Sequence, residues 1–250
     1  MAATDVCSAP ARNGAARVQM GDIVRAFGDA LRETSALSSG QHEVLRALAR
    51  CRTAALGGHL SVCDVCGHKT PMYNSCRNRH CPTCQSLEQH RWLEARRARI
   101  LPTRYFHVVF TLPEALRAIV RYNREALFAM LFQAASQTLL ALCRDPRRLG
   151  ATPAITMVLH TWTRELLFHP HIHAVVSAGG LSPDGARWVP NRGDYLFPVK
   201  VLAKLFRGKF RAALMEGLSS GKITLPPDSP PDALQRIGAA CETPWVVYAK

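Results

Sequence analysis

His169-Pro170-His171-Ile172-His173-Ala174-Val175-Val176-Ser177 carries an imidazole at every second position and then runs on as an apolar stretch. Successive side chains of a strand point to opposite faces, so an extended conformation puts all three histidines on one face. Three histidines at successive alternate positions are a stronger metal signal than a lone His-x-His, which satisfied core histidines often produce. His171 and His173 are therefore the candidate catalytic pair, holding a divalent ion such as Mg²⁺ or Mn²⁺. An ion in that place can polarise a nonbridging phosphate oxygen and orient a phosphodiester for in-line attack. A competing chemistry, hydrolysis in an amidohydrolase-type barrel, also sets His-x-His on a strand. It needs more strand and helix alternation than this chain shows, and its acid or base would fall to Glu165, the nearest carboxylate.

Outward from this strand the elements read as β, α, β, β, β. Tyr105 to Thr111 is β-branched and aromatic, and Pro113 opens a helical region that lasts to about Cys143. Ile155 to Thr161 and His171 to Ser177 are strands. Gly179-Gly180 and Ser182-Pro183-Asp184-Gly185 supply turn chemistry before a short strand near Trp188. Val199 to Leu218 is an amphipathic helix, and Pro226 to Pro231 is linker-like. Upstream, residues 1–20 read as a loose tail, and a helical stretch from Asp22 to Leu56 is interrupted near Ser38 to Gly40. The fold class is α+β. The domain reading is a tail over 1–20, a first module over 21–101 and a second over 102–250.

The first module holds two Cys-x-x-Cys knuckles, Cys63-Asp-Val-Cys66 and Cys81-Pro-Thr-Cys84. Two such turns can face each other around a tetrahedral ion, and four thiolates suit structural zinc. Cys63, Cys66, Cys81 and Cys84 are the expected ligands. Cys76 and His80 lie between the knuckles and leave a ligand exchange open. Cys51, in a helical pattern, reads as a small core residue, and so do the isolated Cys7, Cys143 and Cys241.

The chain has 32 Lys plus Arg against 18 Asp plus Glu, a formal charge of +14, which points to a polyanionic partner. Nearly all of that basic excess is Arg, which can fork onto phosphate or stack on a base. Arg77, Arg79, Arg91, Arg96, Arg97 and Arg99 cluster around and after the knuckles as a candidate DNA-phosphate face, the alternative being a solvated helix face. An apolar content of 48% excludes a disordered chain. Met1 to Val18 lacks the apolar run of a signal peptide, so a cytoplasmic location is expected, where cysteines serve metals more readily than disulfides. The longest apolar stretch, Ala126 to Cys143, is interrupted by Gln133, Ser136, Gln137 and Thr138. It reads as a buried helix, with no membrane partner.

Taken together, the segments Gly57-Gly58-His59, Ser75-Cys76-Arg77-Asn78-Arg79-His80-Cys81-Pro82, Phe106-His107-Val108-Val109-Phe110-Thr111 and His169 to Gly180 resemble the two-tyrosine, rolling-circle-type insertion-sequence transposases. These belong to the HUH (His-hydrophobic-His) nuclease group, and the hydrophobic residue here is Ile172. The resemblance implies a transposase zinc-binding domain followed by a catalytic domain whose antiparallel sheet displays His171 and His173. It also implies a third metal ligand, for which His169 and His160 are the candidates. In such enzymes a tyrosine attacks single-stranded DNA at the ends of a mobile element, leaving a 5′-phosphotyrosine and a free 3′-hydroxyl. The nucleophiles of the family form a pair four residues apart, whereas Tyr73, Tyr105, Tyr122, Tyr195 and Tyr248 include no such pair. The expectation is a C-terminally truncated homologue. Its alternative function is that of a catalytically dead DNA-binding remnant, with Tyr248 in a structural role.

Overall fold

The computed structural model describes residues 18–191, 193, 194 and 196–250. The chain divides between Ile100 and Leu101 into two compact units. The tail read over 1–20 lies outside the described residues as far as residue 17, and Met20 already begins a helix.

The first unit opens with α1 (Met20–Thr34) and α2 (Ser39–Arg50). Each begins in a reciprocal cap. Gln19 and Asp22 pair at α1, while at α2 the Gln41 backbone N–H donates to the Ser38 hydroxyl and the Ser38 N–H to the Gln41 side chain. The helices pack through Val24 and Leu48. A hairpin of β1 (Gly58–Val62) and β2 (Lys69–Tyr73) follows, then α3 (Pro82–Arg97). The hairpin has no counterpart in the sequence reading, because all ten of its residues are exposed and no buried alternation marks it.

The second unit contains β3 (Tyr105–Thr111), α4 (Arg117–Tyr122), α5 (Arg124–Arg144), β4 (Thr152–Trp162), β5 (Phe168–Leu181), β6 (Trp188–Pro190), α6 (Val199–Ser219), α7 (Ala233–Glu242) and β7 (Val247–Ala249). The sheet is antiparallel in the order β4-β5-β3-β7, with β6 paired to β5. It is an α+β fold. One face of the sheet is the core side. Phe106, Val108 and Phe110 of β3 and Ile172, Ala174 and Val176 of β5 are buried there with Leu127, Leu131, Leu139 and Leu142 of α5 and Leu202, Phe206, Phe210 and Leu214 of α6. Trp245 closes the cluster, edge-on to Phe206 and Phe210 at 5.4 and 5.5 Å.

By length and composition α5 could cross a membrane. Its polar residues explain its place instead: Gln133 and Gln137 are exposed, and the buried Thr138 hydroxyl donates to the Ala134 carbonyl at 2.7 Å. Gly179 and Gly180 turn out to lie inside β5 rather than in the turn after it. A Cβ on Gly179 would meet the Trp188 ring and the Val189 carbonyl at 2.6 to 2.8 Å, and one on Gly180 the Thr152 backbone at 2.5 Å. Close approach of neighbouring strands requires these glycines. The turn itself is Ser182 to Arg187, held by the Ser182 hydroxyl.

Candidate metal centres

Alternation places Tyr105, His107, Val109 and Thr111 of β3 and His171, His173 and Val175 of β5 on the face opposite the core. In the register His160 of β4 pairs with His171, and Val109 separates His173 from Tyr248 of β7. Ring nitrogens of His160, His171 and His173 all lie within 4.8 Å of one another, and among the described residues no carboxylate belongs to this group. The rings of His160 and His173 are 4.3 Å apart, and those of His171 and His173 are 5.0 Å apart. Three imidazoles of this kind fit a divalent ion with open positions for further oxygen ligands.

Hydrogen bonds select the nitrogens that face inward. His171 Nδ1 donates to the His169 carbonyl at 2.6 Å, leaving the Nε2 lone pair for an ion. His173 Nδ1 lies 2.8 Å from His107 Nε2, a contact the sequence reading did not anticipate. His169, one of two candidates for a third ligand, accepts instead from the Arg117 guanidinium at 3.2 Å through Nδ1. The structure therefore brings His160, and not His169, into the group. The reason is strand pairing across β4 and β5, which a reading of one strand does not contain.

Burial, followed by the like charges of His160, His171 and His107, pushes the His173 imidazole down to about 4. His160 is lowered by burial and by His171. His169 is lowered by burial, by His171 and by Arg117, against an opposing pull from Glu114. His160, His169 and His173 are thus held towards the neutral form, the one that ligates metals. Glu165 is exposed in the turn between β4 and β5. Tyr248 is exposed on the histidine face, its ring edge-on to His107 at 6.2 Å.

In the first unit the thiols brought together are those of Cys51, Cys76, Cys81 and Cys84, again within 4.8 Å of one another. Cys51 Sγ lies 3.6 Å from Cys81 Sγ and 3.5 Å from Cys84 Sγ, and Cys76 Sγ lies 3.6 Å from Cys84 Sγ. A tetrahedron with Zn–S bonds of about 2.3 Å has edges of roughly 3.8 Å, so the set is spaced for zinc. Cys51 caps α2, and the Arg52 N–H donates to the Asn74 carbonyl at 3.1 Å, which ties the far end of the hairpin back to it. Arg77 then takes a left-handed conformation (φ 51°) between Cys76 and the α3 terminus, where Cys81 is the cap and Pro82 the first residue.

The expected knuckle Cys63–Cys66 is not part of this group. It sits at the tip of the hairpin, after five residues of β1 that extend roughly 16 Å. Cys51, read as a small core residue, stands in the group instead. Cys76, one of the two residues open to a ligand exchange, is in the group, and His80 is not. Burial raises the Cys84 thiol, but hydrogen bonds from Cys51, Cys76 and Cys81 outweigh that and bring it down to about 6. Burial drives Cys51 up to about 12 and raises Cys76 as well.

Of the candidate DNA-contacting arginines, Arg77, Arg79, Arg91, Arg97 and Arg99 are exposed. Arg91 and Arg97 pair with Glu88 and Glu94 at 2.9 and 2.8 Å, and Arg96 lies over the Trp92 ring at 5.6 Å. α3 buries none of its residues.

Residues 23–112 match the model of the transposase zinc-binding domain, and residues 154–250 match the model described as "Putative transposase". The chain belongs to the transposase family. It is 46% identical over 238 residues to "Putative transposase y4qJ" of Sinorhizobium fredii, covering 93% of this chain and 60% of that relative. It is 31% identical over 217 residues to the transposase for insertion sequence element IS801 of Pseudomonas savastanoi pv. phaseolicola, covering 86% of this chain and 49% of that protein. The chain thus spans about half to three fifths of the curated relatives it matches. Among solved structures, the metal-free conjugative relaxase TrwC in complex with oriT DNA overlaps 56% of this chain and 66% of its own, at 14% identity and a TM-score of 0.33.

Proposed function

We propose that this chain is the DNA-gripping and metal-holding part of a transposase that acts on single-stranded DNA at the ends of a mobile element, in the cytoplasm. The observation that carries the reading is the grouping of His160, His171 and His173 on the sheet face opposite the core. His171 and His173, with His160 as third ligand, would hold Mg²⁺ or Mn²⁺. That ion supplies polarisation of a phosphate oxygen and a fixed position for the scissile phosphodiester. Cys51, Cys76, Cys81 and Cys84 would hold structural zinc, which joins the end of α2, the segment after the hairpin and the start of α3 where local packing is thin. The arginines around and on α3 supply phosphate contacts, which position DNA without reading its sequence.

Nicking and rejoining need a nucleophile in addition to the ion, and strand transfer is proposed for the whole transposase rather than for these 250 residues. The test is incubation of the purified chain with 3′-labelled single-stranded oligonucleotides of mixed sequence and Mn²⁺ or Mg²⁺. Retention is read under native conditions and adduct formation under denaturing electrophoresis. The reading predicts ion-dependent retention that His171→Ala abolishes. Retention indifferent to the ion and to His171 contradicts it. A denaturant-resistant band lost in His171→Ala assigns the nicking step to this chain as well.

A further inference from the structure

We propose that His107 is a positioning residue of the metal site: it fixes the tautomer and orientation of His173, so that His173 presents Nε2 to the ion. The inference rests on the reading of His160, His171 and His173 as ligands. His173 Nδ1 and His107 Nε2 are 2.8 Å apart, so one nitrogen carries the proton and the other receives it. A histidine that coordinates through Nε2 keeps its lone pair there and its proton on Nδ1. His173 therefore donates and His107 accepts.

The two rings also lie nearly parallel, 15° apart with centroids at 5.0 Å, which restricts rotation of the His173 ring. His107 can hold this position because its own backbone is fixed on both sides of β3. Its N–H donates to the Lys250 carbonyl at 2.8 Å and its carbonyl accepts from the Lys250 N–H at 3.0 Å, while β5 pairs along the other edge. The His169 carbonyl does the same for His171, so both ligands of β5 have their outer nitrogen engaged. Metal-bound histidines commonly donate their second N–H to a carboxylate or a carbonyl. A neutral imidazole in that role leaves the ion's charge undiminished on a face meant for phosphate.

The test uses the zinc-loaded chain with ¹⁵N-labelled imidazoles at neutral pH. Long-range ¹H–¹⁵N spectra without added divalent ion report the His173 tautomer, and calorimetric titration with Mn²⁺ reports affinity. Wild type, His107→Phe, which keeps a ring but no acceptor, and His107→Gln, whose amide oxygen can accept, are compared at equal thermal midpoint. The expected result is a His173 proton on Nδ1 in the wild type. His107→Phe should give mixed tautomers and Mn²⁺ affinity about 10- to 100-fold weaker, and His107→Gln should restore most of both. An Nε2 proton in the wild type overturns the inference whether or not the variants fold. So does a His107→Phe protein that binds Mn²⁺ normally, in which case the metal reading survives. Failure of the wild type to bind Mn²⁺ overturns the metal reading and this inference with it.

Discussion

His160 of β4 stands opposite His171 of β5, their rings 5.4 Å apart at 77°, so a histidine eleven positions away in sequence completes a group begun by His171 and His173. His169, two positions away, is turned to Arg117.

Cobalt substitution checks the thiol group of the first unit. A chain loaded with Co²⁺ should show the charge-transfer and ligand-field bands of a tetrathiolate, and Cys51→Ser should remove them. A Zn²⁺ finger peptide draws roughly 10–16 kcal/mol from its ion at neutral pH, so loss of one thiolate should cost several kcal/mol and loosen this unit. Cys66→Ser should leave the bands in place. Intact bands in Cys51→Ser would restore the pairing of the two Cys-x-x-Cys knuckles.

Acid should weaken the second unit when no divalent ion is bound. His173 is lowered from 6.5 to about 4 in the folded chain, so the unfolded chain binds the extra proton between those values. Its contribution is full above 6.5 and is lost as the pH falls towards 4. Thermal midpoints measured from pH 7 to pH 4 should fall, and His173→Gln should flatten part of that fall. Partial solvent exposure makes the contribution small, and an unchanged slope in His173→Gln would remove it.

Phe206 lies fully buried between Phe110, Phe210 and Trp245, linking α6 to the sheet and to the segment before β7. Phe206→Ala should destabilise the second unit by about 3–5 kcal/mol in urea unfolding. The Co²⁺ bands of the cobalt-loaded first unit should not change. A loss under 1 kcal/mol would mean that this core is not packed as described.

Salt dependence reports the arginine face. Each phosphate contact on single-stranded DNA contributes a slope of about 0.7 in log K against log salt. Arg77→Gln, Arg79→Gln and Arg99→Gln together should lower the slope by roughly 2 if each contacts phosphate. Arg91 and Arg97, paired with Glu88 and Glu94, should count for less. Equal slopes in the triple variant and the wild type would make this a solvated surface.

What was legible in the sequence was whatever had a local period. β3 is bounded where its aromatic and β-branched run is bounded, and the histidine alternation of β5 fixes its open face from sequence alone. The exposed hairpin β1–β2 and the short α7 lacked such patterns. The ligand sets needed contacts that sequence spacing does not encode. Cys51 meets Cys81 thirty residues on, because a hairpin folds out between them and carries Cys63 and Cys66 away. His160 meets His171 only through antiparallel register, and His107 meets His173 one strand to the other side. Gly179 and Gly180 carry turn chemistry yet lie inside β5, since glycine serves close strand approach as well as turns.

The most direct measurement is Mn²⁺ titration of the zinc-loaded chain by calorimetry, comparing wild type with His160→Ala and His169→Ala. One Mn²⁺ should bind the wild type, His160→Ala should weaken it at least about tenfold, as loss of even an outer partner commonly does, and His169→Ala should leave it nearly unchanged. Loss of binding in His169→Ala with His160→Ala unaffected would contradict the metal centre described for this sheet.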